Sequence, residues 1–247
     1  MASGHPVPDE NGAKAALAVE AVLADCTPAD RVIALISGGG SALLPAPVEG
    51  VSLADKAATS RLLLGAGVDI SQLNLVRQAL SRLKGGGLLR AAHPAPVTSY
   101  ILSDVIGDDL RVIASGLTVA PVGSRAEARA LLQSKGLWAD LPASVQAALE
   151  RDRDETPLPP AQNVLIGSNR KSLEAMQSEA GADAMIVSDR LEGDVADAAA
   201  EIFAAAKSAG DRACLIFGGE TTVRLQGTGL GGRNQELALR VAMGLPD

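Results

Sequence analysis

The sequence predicts an α/β fold: a layered α/β/α arrangement around a mostly parallel sheet. Three observations carry the prediction. Short β-branched apolar runs alternate with longer runs at helical spacing, the pattern of strand–helix–strand units. The interior is built from Ala, Leu, Val and Ile, since 47% of the 247 residues are hydrophobic and only 2% are aromatic. Such small side chains let helices pack closely on a parallel sheet. Glycine-rich segments follow several of the strand-like runs, where loops leave a sheet.

Taken in order, residues 11–24 have helical spacing, and Val32-Ile33-Ala34-Leu35-Ile36 reads as a fully buried strand. Helices are expected over 52–66, where Ser52 and Asp55 make a capping-box variant, and over 71–83. Tyr100-Ile101-Leu102 is a short strand ending in Ser103-Asp104, and helices follow over 124–136 and 142–151. The stretch "RDRDETPLPP" (151–160) breaks the rhythm and reads as a surface loop, a candidate boundary between substructures. Beyond it come strand 163–167, helix 169–180, strand 184–188, helix 194–209 and strand 213–217. "TTVRLQGTGLGGRNQELALRVAMG" (221–244) reads as a strand, a glycine loop and a closing helix. There is no internal repeat and no low-complexity tract. With right-handed crossovers the assembly is Rossmann-like.

Charge narrows the function classes. A net charge of −7 and a pI near 4.9 argue against a nucleic-acid or anionic-membrane partner, which needs a basic face. No apolar run approaches the roughly 20 residues of a membrane span. Residues 1–6 lack the basic and apolar regions of a signal peptide, and Cys26 and Cys214 stand apart without metal spacing. The expectation is a cytoplasmic protein with two reduced, structural cysteines.

The stretch "LISGGGSALLPAP" (35–47) carries the first chemical signal. Gly38, Gly39 and Gly40 give up side-chain packing, and each costs backbone entropy on folding. A tight turn needs one or two glycines. Three, flanked by Ser37 and Ser41, also suit a loop whose bare N–H groups approach an anion. Both readings stay open on this stretch alone. A Cβ at Gly39 or Gly40 is expected to obstruct such an anion, and to strain the backbone if φ is positive there.

Further candidates lie downstream. Residues 227–232 contain a formal G-x-G-x-x-G, but the acid that holds a ribose would fall beyond Asp247, so the match is weak as a dinucleotide site. It serves better as an anion loop, because Arg233 opens the next helix; the competing role for Arg233 is a surface salt bridge. "SDVIGDD" (103–109) places Asp104, Asp108 and Asp109 around Gly107, where they suit either a hard cation such as Mg²⁺ or turn and cap roles. "RLKGGG" sets Lys84 beside three more glycines, and Glu220 follows another strand-like run. His5 and His93 each precede a proline and have no partner at metal or triad spacing. Anion loops, basic clamps and acids are what phosphoryl transfer needs, although no Walker loop or protein-kinase signature is present.

Together these segments resemble the class II glycerate 2-kinases, the family with a MOFRL C-terminal domain. The matching stretches are "GHPVPDENG", "LISGGGSALLPAPVEGVSLADK", "NLVRQALSRLKGGGLL", "ILSDVIGDDLRVIASGLTV", "VLIGSNRKSLEAM" and "FGGETTVRLQGTGLGGRNQELAL". They cover almost the whole chain in family order. The resemblance implies ATP-dependent phosphorylation of D-glycerate to 2-phosphoglycerate with Mg²⁺, and a large and a smaller α/β domain flanking a cleft. It divides the chain into 1–160, part of the large domain; 161–210, a βαβα continuation; and 211–247, the start of the MOFRL-type domain. It implies that Arg233 neutralises the transferring phosphoryl group. Ser37, Gly38, Gly39, Gly40, Ser41, Lys84, Glu220 and Asn234 would bind glycerate or nucleotide, with Asp104 and Asp108 at the metal or substrate hydroxyl.

The sequence departs from the family pattern in three places. The family carries about a hundred residues, a domain-sized segment, before "GHPVPDE". It continues beyond "GGRNQE", and it has proline where Leu117 stands. The chain is therefore expected to be an interior portion of such a kinase. Two alternatives predict different behaviour. A hydroxypyruvate reductase would consume NADH, and a non-catalytic scaffold would bind ligands or self-associate as a homo-oligomer through uncovered apolar surface.

Overall fold

The structure, a computed structural model, describes residues 3–4, 8–151, 156–209, 214–224 and 229–244. His5, Gly227 and Thr228 fall outside them. Two compact units are present, Met1–Ile166 and Gly167–Asp247.

In the first unit, helix α1 (Glu10–Ala24) starts at Asp9, whose Oδ1 accepts from Gly12 N at 2.8 Å. Strand β1 (Val32–Ser37) leads into a one-turn helix α2 (Gly40–Leu43). Helix α3 (Leu53–Gly65) is capped by Ser52, which accepts from Asp55 N. Helix α4 (Ile70–Ala79) ends earlier than the periodicity predicts. Residues beyond it turn away: Ser81 bridges to Pro47, and Gly85 and Gly86 take φ of 57° and 78°. Those left-handed angles stop a helix and require glycine. Helix α5 (Gly87–Ala92), absent from the sequence expectation, begins on the third of these glycines. Strand β2 (Val97–Leu102) then runs parallel to β1, pairing Val32 with Val97 and Ser37 with Leu102.

Helix α6 (Arg125–Ser134) has a complete capping box between Ser124 and Glu127, and α7 (Ala143–Glu150) follows. Strand β3 (Ala161–Gly167) completes a sheet of order β1-β2-β3. Two cores form. One joins α1, α5 and one face of β1 and β2 through Ala16, Leu89, Ile36 and Ile101; the other joins α3, α4, α6 and α7 through Leu63, Val76, Leu132 and Val145. Strand β1 is not buried on both faces as expected. Its burial alternates, with Ile36 inside and Leu35 81% exposed.

In the second unit, helix α8 (Asn169–Ala180) starts at the Ser168 cap. Strand β4 (Ala184–Leu191), helix α9 (Val195–Ser208) and strand β5 (Cys214–Gly219) form a β-α-β unit in which β4 and β5 pair in parallel. Helix α10 (Arg233–Gly244) closes the unit. The strand expected at 221 onward is reduced, among the described residues, to one bridge between Thr222 and Asp194. Both cysteines are free, Cys26 half-buried and Cys214 exposed. Among the described residues no helix is long and apolar enough to cross a membrane.

Candidate functional site

The carboxyl ends of β1 and β2 lie side by side, because the two strands are parallel and in register to Ser37 and Leu102. Ligands of open α/β sheets bind at such strand ends. Here the glycine run leaves β1 and Asp104 follows β2. A Cβ on Gly38 would stand 1.8 Å from Asp104 Oδ2, so Gly38 is what lets this carboxylate lie against the backbone. Gly40 has tight space too, with an added Cβ 3.0 Å from that of Ala114. None of the three takes a positive φ; Gly39 has φ −56°. The run therefore answers to close approach and not to left-handed strain. The N–H groups of Gly39 and Gly40 have no backbone partner outside the helices and strands among the described residues.

Behind the loop sits Lys84, 1% exposed. Its Nζ donates to the Ser41 carbonyl and, at 3.3 Å, to Ser41 Oγ. Ser41 Oγ meets Ser115 Oγ at 2.8 Å, and Ser115 Oγ donates to Asn74 Oδ1 at 2.9 Å. Ser115 is held in place by Gln78, whose Nε2 donates to the carbonyls of Ser115 and Arg111. Gly85 N and Gly86 N donate to the carbonyls of Ser115 and Gly116, which ties the Lys84 turn to the same segment.

A cavity of about 300 Å³ opens onto this network, with Gly38, Gly39, Ser41 and Lys84 in its wall. Lys56, Arg61 and Arg77 line it as well, and no carboxylate does. Lys56 Nζ is spent on the carbonyls of Pro45 and Leu80, at 2.6 and 3.2 Å. Arg61 and Arg77 have no hydrogen bond or ion pair among the described residues. Burial lowers the Lys84 ammonium to about 7, with the Arg77 charge as the second cause. Burial also pulls Lys56 well below the ordinary lysine value, helped by the charges of Lys84, Arg77 and Arg82. Two guanidinium groups and two lysines of lowered basicity thus share the wall of one small cavity, where each positive charge disfavours the others.

Of the residues singled out by sequence, this site unites Gly38, Gly39, Ser41 and Lys84, with Asp104 against Gly38. Ser37 is exposed at the strand end and Gly40 opens α2; neither lines the cavity. Asp108 has φ 55°, and its Oδ1 is buried without a hydrogen-bond partner. Asp109 pairs with Arg111. Among the described residues, no three His, Cys, Asp or Glu side chains gather as metal ligands. His93 is exposed. Sequence reasoning missed Lys56, Arg61 and Arg77. Their signal was present, because Lys56, Ser60 and Arg61 share one face of the 52–66 helix, but which face meets the loop depends on tertiary packing.

The second unit holds its own candidates. Arg233, at the first turn of α10, donates from Nη2 to Glu220 Oε1 at 2.7 Å, so two predicted site residues meet as an exposed ion pair. Asn234 and Arg233 line a shallow pocket with Gly231 and Gly232.

With this geometry in place, comparison with known proteins is specific. A family model described as "Domain of unknown function (DUF4147)" matches residues 1–150, and the MOFRL family model matches residues 213–247. The chain is 41% identical to a glycerate kinase of Rattus norvegicus over 95% of its own length and 54% of that protein's. It is 40% identical to a glycerate 2-kinase of Pyrococcus horikoshii, covering 99% of this chain and 60% of that one. The crystal structure of a glycerate kinase from Thermotoga maritima superposes with a TM-score of 0.87 at 37% identity, over 98% of this chain and 60% of that one. The chain thus spans between half and two thirds of each of these relatives. Sequence, family models and fold agree: this chain belongs to the glycerate kinase family.

Proposed function

We propose that the protein acts as a glycerate 2-kinase, passing the terminal phosphoryl group of ATP to the 2-hydroxyl of D-glycerate. The observation that carries this reading is the carboxylate-free cavity bounded by Lys56, Arg61, Arg77 and Lys84 beside the Gly38–Ser41 loop. A carboxylate or phosphate oxygen there would take up the N–H groups of Gly39 and Gly40 and offset the positive charge. Phosphoryl transfer asks a protein mainly for such positioning and charge neutralisation.

Asp104 and Asp108 fit Mg²⁺ in donor type, being hard oxygen ligands near the end of β2, and the buried Asp108 Oδ1 has no other partner. The metal's contribution when bound is charge neutralisation on phosphate oxygens. Arg233 is assigned to the transferring phosphoryl group, a role in which removing an arginine costs about 10³-fold or more in rate. Glu220 pairs with that guanidinium, and Asn234 lines the same shallow pocket as Arg233.

The reading is tested by measuring ADP release with D-glycerate and, in parallel, NADH loss with hydroxypyruvate. Glycerate-dependent ADP release, with a product that enolase consumes directly, supports the 2-kinase. NADH loss independent of ATP would instead establish the reductase.

A further inference from the structure

The first unit contains a second basic cavity that the proposed kinase chemistry leaves unused. It encloses about 370 Å³, and Arg125, Arg129 and Arg151 line it. Lys84 belongs to the first cavity and its neighbour Gly85 to this one, and the two cavities share no lining residue. None of the three arginines has a carboxylate partner among the described residues. Arg129 is half-buried and makes no hydrogen bond there at all. Arg125 uses Nε on the Ala79 carbonyl and Nη1 on the Arg151 carbonyl, leaving Nη2 unused. Arg151 uses Nη2 on the Glu49 carbonyl. Glu150, the carboxylate in the wall, forms no ion pair with any of them.

Backbone donors converge on the same space. Arg125 and Ala126 open the ten-residue helix α6 and line the cavity. Their N–H groups have no partner, because the capping box occupies those of Ser124 and Glu127 instead. Burial pulls the Arg125 guanidinium below its ordinary range, and the Arg151 charge adds to the shift. Leu149 and Leu158 supply an apolar wall beside the cations.

We propose that this cavity is a second anion site, built for a small phosphomonoester whose phosphate meets the Arg125, Arg129 and Arg151 forks and the first turn of α6. Guanidinium forks match phosphate oxygens bidentately, unused helix N–H groups favour the same charge, and the cavity suits a small ligand body. The inference does not rest on the kinase reading, since it uses none of that site's residues.

Calorimetric titration of the chain with inorganic phosphate tests it, using wild type, Arg77→Ala, Arg129→Ala and the double variant. Two binding events are expected in wild type. Arg129→Ala should weaken one of them at least tenfold, and Arg77→Ala should weaken the other. Arg129→Lys, which keeps the charge and loses the fork, should fall between. A phosphate isotherm of Arg77→Ala that Arg129→Ala leaves unchanged would overturn the proposal. Circular dichroism melting confirms folding of each variant; should Arg129→Ala unfold, Arg129→Gln serves in its place with the same expected loss. If Arg77→Ala has no effect while Arg129→Ala does, the first cavity's reading fails and this one stands.

Discussion

Ser41 Oγ lies 2.8 Å from Ser115 Oγ although 74 positions separate the two residues. The proton directions in this contact follow from supply. Ser115 donates its single hydroxyl proton to Asn74 Oδ1, so Ser41 must donate to Ser115, leaving Ser41 Oγ free to accept from Lys84 Nζ. One ordered chain therefore runs from Asn74 through two serines to the buried lysine. The backbone at its centre is strained, with Ala114 at φ 49° and Ser115 at φ 59°. Left-handed non-glycine residues cost about 1–2 kcal/mol each and persist where surrounding contacts hold them, often at functional sites.

Ser115→Ala should lower stability by about 1–3 kcal/mol, because it leaves the buried Asn74 carbonyl oxygen without a partner and takes the acceptor from the half-buried Ser41 hydroxyl. Ser41→Ala should cost less stability, since Lys84 keeps the Ser41 main-chain carbonyl. Urea denaturation of both variants compares the two losses. Equal midpoints for Ser115→Ala and wild type would show that the hydroxyl chain contributes nothing.

Lys84 should make anion binding depend on pH. Its folded value, about 7, lies below the ordinary 10.5 because of burial first and the Arg77 charge second. Between those values the unfolded chain holds the extra proton, so stability rises with pH from about 7 to 10.5 and the lysine's desolvation penalty is full below 7. A bound anion favours the ammonium and reverses the shift. Sulfate binding at pH 8 should therefore take up a proton, seen as a heat that varies with buffer ionisation enthalpy, and should weaken as pH rises. Lys84→Met should abolish the uptake.

Much of this was legible in the sequence, and the boundary of legibility is physical. Helices α1, α3, α6 and α8 matched their periodicity because Asp9, Ser52, Ser124 and Ser168 cap them locally. The end of α4 was misread because Leu80 and Leu83 keep the apolar spacing while the backbone is turned by Gly85 and Gly86. The two glycine runs also look alike in sequence and differ in cause. Residues 85 and 86 need left-handed angles, whereas Gly38 needs room for Asp104, a residue 66 positions away that only folding brings near. For the same reason Ser41 and Lys84 stood out singly, and their link through Ser115 and Asn74 did not.

Gly38→Ala should move Asp104 and leave the fold intact. The atoms nearest the added Cβ are the carboxylate atoms of Asp104, an exposed side chain that can swing into solvent. Thermal stability should therefore change by less than about 1 kcal/mol. If Asp104 serves the kinase reaction, Gly38→Ala and Asp104→Ala should each reduce glycerate-dependent ADP release, and the double variant should lose little more than either alone. Fully additive losses would separate the two residues functionally.

The Arg233–Glu220 pair should matter little for stability. Both side chains are nearly half exposed, and solvent-exposed pairs are worth roughly 0.2–1 kcal/mol. Glu220→Gln should leave the melting temperature almost unchanged while freeing the guanidinium at the start of α10. Sulfate affinity of the variant, measured by calorimetry, should then rise. A fall in affinity would mean that Glu220 orients Arg233 for the anion instead of competing with it.

The two faces of β1 should respond oppositely to substitution at adjacent positions. Ile36 is 8% exposed and packs with Ile101 in the core shared with α1 and α5, whereas Leu35 is 81% exposed beside Tyr100 on the other face. Truncating a buried isoleucine removes transfer energy and leaves a cavity, so Ile36→Ala should cost about 2–5 kcal/mol. Leu35→Lys removes no buried contact and should stay within about 0.5 kcal/mol of wild type. Ile33 and Leu102 extend the same exposed apolar face, at 66% and 53% exposure, and contiguous apolar surface of this kind binds hydrophobic dyes. Leu35→Lys should accordingly lower 8-anilinonaphthalene-1-sulfonate emission while the urea midpoint holds. A midpoint that falls as far as that of Ile36→Ala would show that this face is covered in solution.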